Sequence, residues 1–178
     1  KNKAFPSYWQ TMKDVTATVF HRQFYNGTAL LSDPDGLVLR DVDNGDGFNA
    51  SYSEARLWAV AVALSGGTVL HNEELENLSP ARRALLLDQL PSLGVRGRAV
   101  DFFAPYPETV VAECPDGVRY LALFNYSDAM EDLHFSLSDI GMENALIFDC
   151  HARSFVGLAS EIIAENVNPH DALLYLLL

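Results

Sequence analysis

The sequence predicts an α/β segment followed by an all-β segment built as an antiparallel β-sandwich. Three observations carry that expectation. Up to about residue 90, helical patterns alternate with short, wholly apolar runs, as parallel strands covered on both faces do. After Pro91 the texture changes to short strand-like runs separated by turn residues, as in a sandwich. Over 178 residues, 49% are apolar and 20% charged, which suits a chain with a buried core. The composition break places a boundary near residue 97, giving segments 1–97 and 98–178.

From Ser7 to Tyr25 apolar residues recur at Tyr8, Met12, Val15 and Val19, which is helical spacing. Asn26-Gly27 stops the helix. Ala29 to Leu31 is expected as a short buried strand ending at Asp33, because Pro34 cannot donate to a strand ladder. Its two carboxylates, Asp33 and Asp35, would then stand at a rim that a polar ligand can reach. Residues 41 to 49 form a polar loop. Ser51 and Glu54 have the spacing of a capping box, and the run Leu57–Leu64 is apolar on every face, so that helix should be buried all round. Ser65-Gly66-Gly67 ends it, and Thr68–Leu70 is a second short strand. Ser79-Pro80 opens a third helix with Leu85, Leu86 and Leu90 on its apolar face. Beyond it, strands are expected at 95–103, 109–113, 118–124, 133–137, 145–148 and 154–158, with two more near 161–164 and 172–178. Pro115-Asp116-Gly117 marks a hairpin turn.

The charge balance narrows the function. Twelve basic against 24 acidic residues give a net charge of −12, which disfavours nucleic acid and anionic membrane as partners and suits a neutral ligand. No apolar run approaches the roughly 18 residues of a membrane span. The two cysteines, Cys114 and Cys150, could pair, but nothing in their spacing requires it, so a reduced, cytoplasmic setting is expected. Four Asn-x-Ser/Thr triplets, at Asn26, Asn49, Asn77 and Asn125, leave secretion open; three of them coincide with turn or cap positions where Asn and Ser belong anyway.

Several motifs in this order resemble the last part of the melibiase-type α-galactosidases, glycoside hydrolase family 36 and its clan relatives. They are Leu30–Gly36 with its Asp33-Pro34-Asp35 core and a following apolar run to Arg40; Ser53-Glu54-Ala55-Arg56-Leu57-Trp58; Ser65-Gly66-Gly67; Arg98–Phe103; Leu121–Asp128; and Asn168-Pro169-His170. The resemblance spans roughly Ala17 to Leu178. It implies strands seven and eight of a (β/α)8 barrel followed by the C-terminal β-sandwich of a retaining glycosidase. The family's two catalytic carboxylates would precede Lys1, so no catalytic residue is assigned here. Leu30, Ser32, Gly36 and His151 differ from the residues the family often carries, which bears on the sugar taken.

Asp33 and Asp35 are the candidate site residues, with three readings. A retaining glycosidase needs two carboxylates about 5–5.5 Å apart, and residues i and i+2 of a strand share a face. Alternatively, Asp33 caps local N–H groups and Asp35 pairs with an arginine. The resemblance implies a third role, support of the sugar pocket. Asp41, Asp43 and Asp46 invite a calcium reading, but position 5 of an EF-hand loop would be Gly45, position 6 Asp46 and position 12 Tyr52, so a solvated turn is expected instead. The five histidines show no metal-ligand spacing, and no phosphate-binding glycine loop is present, so no metal or cofactor is expected. His71-Asn72-Glu73-Glu74 follows the second strand and could touch substrate or cap a loop. Asp149-Cys150-His151 is taken as structural, and Trp9 and Trp58 as core residues.

Two functions of different class follow. One is the C-terminal portion of an α-galactosidase-like glycosidase, acting on an α-galactoside or related sugar and inactive alone. The other is a free-standing β-sandwich module for carbohydrate binding or assembly. Two strands without their barrel would leave open edges, so self-association is expected in the first case.

Overall fold

The structure is a computed structural model, and it describes residues 8–43, 45, 47–71, 73–90 and 92–178. Helix α1 (Tyr8–His21) leads into a parallel strand pair, β1 (Gly36–Leu37) and β2 (Leu70–His71), joined through helix α2 (Tyr52–Leu64). Helix α3 (Pro80–Leu87) follows. The rest is strand: β3 (Arg98–Ala99), β4 (Thr109–Glu113), β5 (Arg119–Asn125), β6 (Glu131–Ser136), β7 (Ala145–Asp149), β8 (Ser154–Ala159), β9 (Glu161–Val167) and β10 (Asp171–Leu177). Six of these form an antiparallel sheet in the order β3-β4-β5-β10-β7-β8, and β6 pairs with β9.

The strands β4, β5 and β10 of the antiparallel sheet are buried on both faces, and strand alternation sorts their side chains. Val110, Ala112, Ala122, Phe124 and Ala172 point into a core shared with Phe20 of α1 and Leu57, Val60 and Leu64 of α2. Their neighbours Val111, Leu121, Leu123, Tyr175 and Leu177 pack against Phe135 and Ile162 of the β6–β9 pair. Period-two geometry therefore explains why β4, β5 and β10 are apolar at successive positions although they are antiparallel. Burying Phe124 completely contributes about 1.5–3 kcal/mol.

Local signals set the helix ends. The Ser51 hydroxyl accepts from Glu54 N–H at 3.2 Å, and the Glu54 carboxylate accepts from Ser51 N–H at 2.7 Å. Ser79 caps α3, with Pro80 at its first position. Helix α2 is buried at nine residues from Ala55 to Leu64, as its unbroken apolar run requires. At its end Gly67 lies against the backbone of Ser32, where a Cβ would come within 2.0 Å of the Ser32 carbonyl oxygen.

Four expected elements differ, the mildest being the strand expected at Thr68–Leu70, which forms at Leu70–His71. Residues 29–31 are not a buried strand: the N–H groups of Thr28, Ala29 and Leu30 all turn back to the Tyr25 carbonyl, and Leu30 and Leu31 are 54% and 77% exposed. Strand β1 begins after Asp33-Pro34-Asp35 instead of ending before it. The run 95–103 keeps only Arg98–Ala99 as strand, because Asp101 folds its carboxylate onto Glu108 N–H (2.7 Å) and Thr109 N–H (3.2 Å) and makes a turn. Leu90 lies past the end of α3 and is exposed, whereas Leu85 and Leu86 are buried. Both cysteines are free thiols. No helix among the described residues is long and apolar enough to cross a membrane.

Candidate functional site

Asp33 and Asp35 lie on the segment that enters β1, and both are exposed. Asp33 Oδ1 accepts from Asp35 N–H at 3.0 Å, and Asp35 Oδ1 accepts from Gly36 N–H at 2.7 Å. Asp35 adopts φ 75°, a left-handed conformation outside strand geometry, and β1 begins only after it. The expectation that i and i+2 share a strand face therefore does not apply here. Local capping is what Asp33 does, and Asp35 caps the next residue instead of reaching an arginine. Asp33 also lines a cleft of about 150 Å³ with Leu30, Ser32, Tyr25, Arg22 and Val19.

The segment is held from behind by Asn26. Its side chain donates to Ser65 O at 2.7 Å and accepts from Ser32 N–H at 2.9 Å, while Arg96 donates to its carbonyl. Asn26 is buried, as is Asn125, whose amide donates to the carbonyls of Ala129, Val167 and Asn168. Both amides are committed to the fold, so these two triplets serve structure.

The loops after β1 and β2 meet at a polar knot. Glu73, whose side chain is 1% exposed, accepts from Leu39 N–H at 2.5 Å and Arg40 N–H at 3.3 Å and pairs with the Arg40 guanidinium at 3.5 Å. Arg82 of α3 donates to Leu39 O and lies 3.6 Å from Asp41. Arg40, Asp41, Glu73 and Glu74 line a cleft of about 210 Å³. A carboxylate fixed this way holds two loops in register. Of the four residues 71–74, Glu73 is a loop cap, His71 accepts weakly from Glu73 N–H at 3.4 Å, and Asn72 lies outside the described residues. In the loop 41–49, Asp43 accepts from Gly45 N–H and Gly47 N–H at 2.8 and 2.9 Å, a turn geometry; Asp46 lies outside the described residues.

A second polar cluster joins the helices to the sandwich. Arg56 of α2 forks onto Asp171 of β10, Nε to Oδ1 at 2.7 Å and Nη2 to Oδ2 at 2.5 Å, and the Asp171 side chain is fully buried. His170 stacks on Trp9 with ring centroids 3.9 Å apart and lies between Glu54 (3.3 Å) and Asp128 (2.7 Å). Trp58 is buried and donates to Gly36 O at 3.2 Å, tying α2 to β1. Sequence reasoning did not pair Arg56 with Asp171. The available signal was an arginine directly before the wholly apolar run Leu57–Leu64, where a charge next to the core needs a partner.

Among the described residues, Asp33, Asp35, Asp41, Asp43 and Glu73 are thus engaged by backbone N–H groups or an arginine, and Glu74 by the Asn77 amide at 2.6 Å. The arrangement supports and orients; among the described residues it does not set two free carboxylates across a cleft. Among the described residues no group of three His, Cys, Asp or Glu side chains is placed to hold a metal ion.

No known family model matches the sequence, and no curated protein matches it. Solved structures do. A GH27 β-L-arabinopyranosidase from Geobacillus stearothermophilus superposes with a TM-score of 0.80 at 21% identity, over 97% of this chain and 42% of its own. The α-galactosidase of Saccharomyces cerevisiae, solved with raffinose, gives 0.72 at 12% identity, over 94% of this chain and 51% of its own. The α-galactosidase I of Mortierella vinacea gives 0.65 at 15% identity, over 82% and 39%. The fold is that of part of these enzymes, and the chain spans about half their length or less. At these identities the likeness shows a shared fold, the fold expected from the sequence, and does not single out family 36.

Proposed function

We propose that this chain is the C-terminal portion of a retaining, α-galactosidase-like glycoside hydrolase whose nucleophile and acid/base lie outside residues 1–178. The observation that carries the reading is the superposition of 97% of the chain on part of a GH27 glycosidase, with a TM-score of 0.80. In this reading β1 and β2 are the last two strands of a (β/α)8 barrel, and the loops after them belong to the face that carries active sites in such barrels. Segment 98–178 is the sandwich that braces it. Asp33 and Asp35 support the sugar pocket: their exposed carboxylates are held by the adjacent backbone and present oxygen acceptors to sugar hydroxyls. The catalytic pair would form and hydrolyse a covalent glycosyl intermediate. The substrate is an α-galactoside or a related pyranoside. Without its barrel the chain self-associates through the exposed Tyr25, Leu30, Leu31 and Leu70.

The test is to express the longest reading frame containing residues 1–178 and assay it on 4-nitrophenyl α-D-galactopyranoside and 4-nitrophenyl β-L-arabinopyranoside. Hydrolysis with retained anomeric configuration, reduced at least about tenfold by Asp33→Ala or Asp35→Ala, supports the reading. A frame confined to this chain, or a longer one that cleaves neither glycoside, overturns it in favour of a free-standing sandwich module.

A further inference from the structure

Three of the chain's 12 basic residues, Arg96, Arg98 and Arg119, line one cleft of about 410 Å³, and Glu113 is the carboxylate on the same lining. They come from three places: the segment after α3, strand β3 and strand β5. Strand register brings them together. Arg98 lies opposite Val111, and Glu113 lies opposite Arg119. Opposed residues of an antiparallel pair share a face, and so do Val111 and Glu113, two residues apart. Arg98, Glu113 and Arg119 therefore stand on one face of the sheet, beside Val111, which packs toward the β6–β9 pair. Ile140, in the short turn after β6, and Pro115, in the hairpin between β4 and β5, complete the walls. No lining residue is shared with the clefts near Asp33 and Glu73.

Two of the guanidinium groups are oriented without being neutralised. Arg119 Nη1 donates to Ile140 O at 2.7 Å, and its Nη2 lies 3.5 Å from Glu113 Oε1. Arg96 donates to Asn26 O. A carbonyl fixes a guanidinium but cancels none of its charge. Arg98 is exposed and has no hydrogen bond or ion pair among the described residues. A guanidinium carries five N–H donors, so all three arginines keep donors to spare. Cations gathered in one cleft repel each other. The chain has 24 acids to set among them, yet this lining holds three cations against one carboxylate while the chain as a whole is at −12.

We propose that this cleft binds a small dianion with its charge on oxygen, a phosphate monoester or a dicarboxylate, its oxygens on Arg96, Arg98 and Arg119 and its body against Val111, Pro115 and Ile140. Guanidinium forks match the oxygens of both groups. Two negative charges balance the lining, whereas a neutral ligand leaves it charged. The volume falls within the range of small-molecule sites, about 300–1,000 Å³. The site lies on the sandwich and rests on no part of the hydrolase reading.

The probes are sulfate and succinate, which carry two charges on a tetrahedral and on a dicarboxylate frame, with acetate as the monoanion. Calorimetric titration of the 178-residue chain near neutral pH, at a constant ionic strength of about 0.15 M, gives Kd. The expected result is saturable binding of at least one dianion, about tenfold or more tighter than acetate; the tighter of the two assigns the group. Arg98→Gln should weaken it about tenfold, the loss of a charge-assisted contact. Arg83→Gln removes the same charge from α3, off the cleft, and should leave Kd unchanged. Phenylglyoxal modification read by peptide mass locates the site: the bound dianion should slow reaction at Arg98 and Arg119 and not at Arg83. No saturation by either dianion up to about 50 mM, or equal weakening by Arg98→Gln and Arg83→Gln, overturns the proposal. Unprotected Arg98 at saturating dianion does the same.

Discussion

Breaking the Arg56–Asp171 fork should reveal which of its two charges depends more on the other. Asp171→Ala removes two charge-assisted hydrogen bonds, of 2.7 and 2.5 Å, each worth about 1.5–3 kcal/mol. The Arg56 side chain is 19% exposed and its head keeps a path to water, so the loss should fall at the low end, about 3 kcal/mol. Arg56→Met is the harsher change. It leaves the Asp171 carboxylate at 0% exposure with the Ala172 N–H, at 2.8 Å, among its remaining partners, and should cost about 4–5 kcal/mol. Replacing both, as Arg56→Met with Asp171→Leu, removes the unpaired charge in each direction and should recover most of the loss. Urea unfolding of the four proteins at constant m-value measures this directly. The reasoning fails if Arg56→Met costs no more than Asp171→Ala, or if the double variant loses the sum of the singles.

Other perturbations test separate features. Gly67→Ala drives a Cβ to 2.0 Å from the Ser32 carbonyl oxygen, so the segment carrying Asp33 must move; a loss above about 2 kcal/mol in urea unfolding is expected, against a neutral result if the approach is not real. His151 is held below its ordinary pKa by burial and by Arg56, so the unfolded chain takes up its proton first as pH falls. Stability should decline below about pH 6.5, the unfolded value, and His151→Phe should flatten that decline in urea midpoints taken across the acid range. The Cys150 thiol, raised to about 11, holds its proton longer when folded, so stability should fall as pH rises above about 8.5, the unfolded value, through the folded value. Cys150→Ala should remove that alkaline slope. Light scattering should find the isolated chain associated, and Leu30→Ser with Leu31→Ser should reduce the association; a monodisperse parent chain would speak against the barrel-edge reading.

Signals confined to a few neighbouring residues were legible. The Ser51–Glu54 capping box, the Ser79-Pro80 start and the Pro115-Asp116-Gly117 turn bind partners within a few residues, and the structure shows each in place. So were β4, β5 and β10, whose burial on two faces is written as apolar runs. The run 29–31 was misjudged because apolar content marks a surface that wants covering without saying whether anything described covers it. Glu73 and Asp171 look like ordinary acids in the sequence, since the arginines they pair with, and the backbone groups that Glu73 holds, lie 33 to 115 residues away.

The sequence by itself determined the order of helix and strand segments, the helix caps, and the acidic, apolar-rich character of the chain, because those follow from nearest neighbours and composition. Only the tertiary structure decided that β1 starts after Asp35 and that Arg56 meets Asp171. It alone brought Arg96, Arg98 and Arg119 to one cleft. Such contacts depend on how sheets and helices pack across long stretches of chain, and burial then fixes which polar groups must find each other.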